Sequence, residues 1–110
     1  MAGNKNFGKH LKRLREARGL SQEQLAELVG LEYQTISRIE TGYYFTSFDN
    51  LQKISKALGL TIKDLFDFPE DELSKAQLLK LITKDIKNFD TRDLRNVHKM
   101  ICIYQECRKL

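Results

Sequence analysis

The sequence predicts an all-α protein, with five short helices sharing one core and a two-helix hairpin after them. Three observations predict it. Apolar residues recur with a 3.6-residue rhythm along most of the chain. Glycines fall where that rhythm stops, and Ser or Thr capping signatures follow them. A single proline and few β-branched runs argue against a sheet built from many turns. At 110 residues the chain can bury one good core and carry a short appendage. We place the first domain at residues 1–68 and the hairpin at 69–110.

Phe7, Leu11 and Leu14 line one face of the first helix, which Gly19 ends. The second opens with the capping pattern Ser21-Gln22-Glu23-Gln24, turns Leu25, Ala26 and Val29 inward, and stops at Gly30. Ile36 and Ile39 anchor the third, before Gly42. Ser47 can cap the fourth, whose stripe is Phe48, Leu51, Ile54 and Leu58, ending at Gly59. Thr61-Ile62-Lys63-Asp64 opens a fifth, with Ile62, Leu65 and Phe66 inward. After Phe68-Pro69-Glu70-Asp71 two longer segments follow, Glu72 to Phe89 and Thr91 to Arg108, parted by Asn88-Phe89-Asp90. Leu73, Ala76, Leu79, Ile82, Ile86 and Phe89 face one way on the first, with Leu78 and Leu81 to the side. Leu94, Val97, Ile101 and Tyr104 form a stripe on the second, beside Met100, Ile103 and Cys107. That much apolar surface predicts an antiparallel pair whose outer side, Leu94, Val97, Ile101 and Tyr104, makes a two-fold interface with a second subunit; the alternative is that both helices pack wholly on their own N-terminal domain. The short junction predicts one compact unit.

Composition narrows the function classes. The net charge of +4 suits a polyanion without requiring one. Residues 1–66 carry ten Lys/Arg against seven Asp/Glu, the rest nine against eight, so the surplus sits in the first domain. No run approaches eighteen apolar residues and the N-terminus lacks a signal-peptide pattern, so no membrane association and a cytoplasmic location are expected. Cys102 and Cys107 are five apart on one helix and cannot pair with each other, which suits a reduced interior. His98 and Cys102, four apart, are two metal ligands without a second pair; helix packing is the preferred reading, and no metal or cofactor is expected. No nucleophile–base pair, acid pair or phosphate-cradling glycine loop appears, so no enzyme is expected.

The informative constellation lies at residues 21–41. Two helices crossing through a very short turn need a small residue where they approach and a glycine at the corner. Ala26 and Gly30 supply these, with Leu31 closing the corner and Ile36 and Ile39 pinning the next helix. Gly19-Leu20-Ser21-Gln22-Glu23-Gln24-Leu25-Ala26-Glu27-Leu28-Val29-Gly30 with Ile36-Ser37-Arg38-Ile39-Glu40-Thr41-Gly42 resembles the Cro/C1-type (XRE, lambda-repressor-like) helix-turn-helix transcriptional regulators. Leu51 to Leu60 and Asp64-Leu65-Phe66 extend the resemblance over about residues 5–66, but not into the C-terminal hairpin. It implies a five-helix DNA-binding domain. It also implies that Gln22 contacts phosphate and that Glu40 is structural, pairing with a first-helix arginine, here Arg15.

Periodicity leaves Tyr33, Gln34, Ser37, Arg38 and Thr41 on the outer side of the third helix. Arg38 can bond guanine O6 and N7 in a bidentate manner, Gln34 adenine N6 and N7, while Tyr33 and Thr35 can meet a thymine methyl or a phosphate. Gln22 also opens a helix whose amino end favours phosphate. The loop Tyr43-Tyr44-Phe45-Thr46-Ser47 departs from the family, which often has a basic residue and then Pro-Ser there. Tyr43 and Tyr44 can still donate to phosphate, or the aromatic triplet can pack beneath the loop or meet a protein. Lys5, Lys9, Lys12 and Arg13 are flank contacts or a solvated face. The expected partners are double-stranded DNA and a second copy of the chain, the expected role repression at an inverted repeat. The alternative is an antitoxin or other protein-interaction module that keeps the helix-turn-helix.

Overall fold

In the computed structural model, residues 2–69 and 73–109 are described, with side chains from Lys5 onward. Seven helices and, among these residues, no strand make the chain all-α: α1 Ala2–Ala17, α2 Gln22–Val29, α3 Tyr33–Glu40, α4 Phe48–Ala57, α5 Ile62–Phe66, α6 Lys75–Ile86 and α7 Thr91–Arg108. Gly19, Gly30, Gly42 and Gly59 all take positive φ, so each stop in the rhythm is a left-handed backbone turn that a side chain would resist.

The core belongs to α1–α5. Phe7 and Leu11 of α1, Leu25, Ala26 and Val29 of α2, and Ile36 and Ile39 of α3 are buried with Leu51 and Ile54 of α4, Leu58, and Ile62 and Leu65 of α5. Burying such a side chain stabilises by roughly 1.5–3 kcal/mol each, which fixes the short helices that could not stand alone in water. Phe66 is 42% exposed, but its ring lies 5.1 Å from Phe7, and Phe45 completes the cluster with its ring tilted against Phe7 at 5.0 Å and 6.5 Å from Phe66. Arg18 Nε donates to the Leu58 carbonyl, closing the carboxyl end of α4.

Two compact units divide the chain, Met1–Phe68 and Pro69–Leu110, where the short junction alone predicts one. The reason lies in burial: no side chain of α6 or α7 is buried. The antiparallel pair expected from their stripes therefore has no closed interior of its own.

α6 starts at Lys75 and not at Glu72, which lies outside the described residues. Ser74 supplies a capping box that sets this start, its Oγ accepting from Gln77 N at 3.2 Å while its own N–H donates to Gln77 Oε1 at 2.9 Å. Leu73 and Phe89 consequently fall beyond the ends of α6. Asp90 caps α7, accepting from Asp93 N at 2.8 Å.

Candidate nucleic-acid interface

The α2–α3 corner is built from local hydrogen bonds. At its start Ser21 Oγ accepts from Gln24 N at 3.0 Å and Ser21 N–H donates to Gln24 Oε1 at 2.8 Å. At its end Gly30, at φ 72°, donates to the carbonyls of Ala26 and Glu27, and Leu31 N–H donates to Ala26 at 3.0 Å. This paired closure satisfies the last carbonyls of α2 and turns the chain at once into α3. Buried Ala26 keeps the approach close, and Ile36 and Ile39 hold α3 on the core.

A buried polar knot fixes α3 from behind. Arg15 Nε donates to Glu40 Oε2 at 2.7 Å and Arg15 Nη2 to Glu40 Oε1 at 3.0 Å, while Arg15 Nη1 donates to the Leu20 carbonyl at 2.6 Å. Arg15 is 7% exposed and Glu40 5%. The hydrogen-bonded carboxylate raises the Arg15 guanidinium above its ordinary value, against the opposing effect of burial. Gln22 joins them, its Nε2 donating to Glu40 Oε1 at 3.0 Å. α1, α2 and α3 thus meet at one carboxylate, and among the described residues no buried side-chain nitrogen or oxygen lacks a partner.

Two features of this knot are illegible in the family pattern. Gln22, read as a phosphate anchor, has one amide hydrogen committed to Glu40, leaving the other hydrogen and the amide oxygen outside this bond. Gly8 matters as much: a Cβ there would lie 2.4 Å from the Glu40 carbonyl oxygen and 2.5 Å from that of Ile39. α1 therefore rests its backbone against the end of α3. A glycine inside a helix costs about 1 kcal/mol relative to alanine, and that anomaly is the available sequence signal for such an approach.

Outward, α3 leaves Tyr33, Gln34, Arg38 and Thr41 exposed, with Thr35 and Ser37 half-buried at the margins. The Arg38 carbonyl gathers three donors, Thr41 Oγ1 at 3.2 Å, Tyr43 N at 2.9 Å and Tyr44 N at 3.3 Å. Its guanidinium carbon stands 6.0 Å from the centre of the Tyr43 ring, a cation–π distance. Tyr43 is 80% exposed and Tyr44 41%, while Phe45, 38% exposed, rests its ring against Phe7. The aromatic triplet therefore divides: Phe45 fastens the loop, and the two tyrosines stand beside the exposed face of α3. Lys5, Lys9, Lys12 and Arg13 are exposed on α1.

In the second unit Leu94, Ile101 and Tyr104 are exposed and Val97 is half-buried. His98 Nε2 lies 3.9 Å from Cys102 Sγ, and no group of three or more His, Cys, Asp or Glu side chains among the described residues is placed to hold a metal. No helix among them is long and apolar enough to cross a membrane.

Comparison with known proteins adds a family. The helix-turn-helix family profile matches residues 11–65. The HTH-type transcriptional regulator PuuR of Escherichia coli is 41% identical over 63 residues, which cover 57% of this chain but only 34% of PuuR, so this chain spans about a third of that relative. The control protein C.BamHI of Bacillus amyloliquefaciens is 46% identical over 63 residues, covering 56% of this chain and 78% of that one. Among solved structures, the restriction-modification controller protein C.AhdI from Aeromonas hydrophila superposes with a TM-score of 0.59 at 39% identity, covering 60% of this chain and all of C.AhdI.

Proposed function

Since the chain belongs to the Cro/C1-type helix-turn-helix family of transcriptional regulators, we propose that it is a repressor that reads an inverted-repeat DNA operator as a homodimer. The observation that carries this reading is the division of α3. Ile36, Ile39 and Glu40 are buried and locked, and the opposite side exposes Gln34 and Arg38, whose side chains match adenine and guanine edges in the major groove. Tyr33, Thr35, Ser37 and Thr41 border them and reach methyl groups or phosphates.

Gln22 with its remaining hydrogen, and the tyrosine hydroxyls of the following loop, contact the backbone on either side. Such contacts set register, and the two base-reading side chains set sequence. One domain of this size reads only a few base pairs, so useful discrimination asks for two linked copies. The stripe Leu94, Val97, Ile101 and Tyr104 on α7, three of them exposed and Val97 half-buried, supplies apolar surface for that link. Half-sites then lie about 34–36 Å apart, one turn of DNA.

Selection of bound duplexes from a random library tests the proposal. An inverted repeat is expected, and Arg38→Ala and Gln34→Ala are each expected to lose about 1–3 kcal/mol of discrimination at one base position per half-site. Enrichment of no sequence at moderate salt would overturn it. The same exposed apolar residues also favour a second reading, a protein-binding antitoxin or related module. Copurification of a different polypeptide bound to the second unit would select that reading over the homodimer.

A further inference from the structure

We propose that His98 and Cys102 are half of a zinc-class metal site, and that two copies of the chain complete it across a two-fold axis through α7. The inference rests on the homodimer reading and deepens it.

The first support is local geometry. A tetrahedral ion with Zn–S of about 2.3 Å and Zn–N of about 2.0–2.1 Å sets its sulfur and nitrogen ligands about 3.5 Å apart. His98 Nε2 and Cys102 Sγ already stand 3.9 Å apart, both on the exposed surface of α7. Residues four apart on a helix lie on one face, so a few tenths of an ångström of side-chain rotation converts this contact into a chelate.

The second support is position. Val97, Ile103 and Cys107 are half-buried and mark the inner side of α7. At about 100° per residue, Leu94, His98, Cys102 and Gln105 fall together on the opposite side, with Ile101 at its edge next to Val97. The centre of Thr91–Arg108 lies between Lys99 and Met100, and His98 and Cys102 are symmetric about Met100. A second copy packed antiparallel and centred there therefore sets each His98 beside the other copy's Cys102. Two imidazoles and two thiolates then surround the axis, the tetrahedral set that selects zinc among divalent ions.

Charge supports the same orientation. Arg95 and Glu106 are both exposed and stand at nearly equal distances from the centre, so the antiparallel arrangement brings each Arg95 to the other copy's Glu106. A parallel arrangement would oppose Arg95 to Arg95. Glu106 pairs within its own chain with Lys109 at 3.2 Å, an exposed pair that exchanges partners at little cost. Each thiol releases its proton to solvent as its sulfur takes the metal, so binding weakens as pH falls.

The test uses the full chain, reduced with a thiol-free reductant. Cobalt titration is followed in the visible and near-ultraviolet, and sedimentation equilibrium is run in chelator and in zinc. We expect tetrahedral d–d bands and a thiolate charge-transfer band that saturate at one ion per two chains. Both are expected to be lost in His98→Ala and in Cys102→Ser and retained in Cys107→Ser. A dimer that forms, or becomes tighter, when zinc replaces chelator supports the proposal. A dimer in both conditions with no cobalt bands overturns the metal site while leaving the homodimer intact. Saturation at one ion per chain, or bands that persist in His98→Ala, also overturns the shared site. A monomer in both conditions overturns the homodimer reading and the site with it.

Discussion

Taking the carboxylate from Glu40 would strand a guanidinium that is itself buried. Glu40→Ala is therefore expected to cost about 3–5 kcal/mol, read as a lower urea midpoint. Exchanging both partners, Arg15→Met with Glu40→Leu, removes the unpaired charge and is expected to recover most of the loss; an equal loss in the double variant would place the cost in packing instead. The raised Arg15 value contributes stability that is lost only as pH climbs through the arginine range, far above neutrality. Asp64 titrates where it can be seen. Hydrogen bonds from the Thr61 backbone N–H and hydroxyl hold its carboxyl below the ordinary value. Its contribution is complete above the usual aspartate value of about 3.9 and is lost as pH falls through the lowered one. The stability gap between the wild-type chain and Asp64→Asn is expected to close on acidification in that window. A gap constant with pH would exclude the carboxylate as its source.

Among the elements, α1 and α3 approach backbone to backbone at Gly8. Alanine there would gain about 1 kcal/mol of helix propensity but place its Cβ against two backbone carbonyls that cannot rotate aside. The steric term dominates, and Gly8→Ala is expected to lower stability by about 1–3 kcal/mol in denaturant melts and to weaken DNA binding with it. A more stable variant would mean that α1 can slide freely. These contacts also show what the chain made legible. Helix stops could be read because a left-handed turn strongly prefers glycine, and starts because Ser21, Ser47 and Thr61 cap through neighbours three residues on. The start of α6 is not legible from periodicity because the apolar rhythm runs back past Ser74, whose capping box with Gln77 interrupts it. The bond from Gln22 to Glu40 spans eighteen residues and follows from no local rule. The contact of Phe45 with Phe7 does not follow from the sequence because residue type alone does not tell a loop aromatic that packs from one that waits for a partner.

The molecule as a whole keeps its interior in the first unit and much of its exposed apolar surface in the second. Leu79, Ile82 and Ile101 are each about half exposed, an arrangement a lone monomer rarely maintains without use. Introducing charge at two outward positions, Leu94→Glu with Ile101→Glu, is expected to shift sedimentation from dimer to monomer and to weaken operator binding by tenfold or more, about 1.4 kcal/mol. The melting of the first unit should not move; if it does, those residues serve folding and not association. The locked rear of α3 has a consequence for inheritance. Ile36, Ile39 and Glu40 hold the helix in place, and Gln34 and Arg38 take no part in that anchoring through their side chains. After gene duplication, one copy can exchange a few solvent-facing letters and acquire a separate regulon while its ancestral scaffold stays untouched.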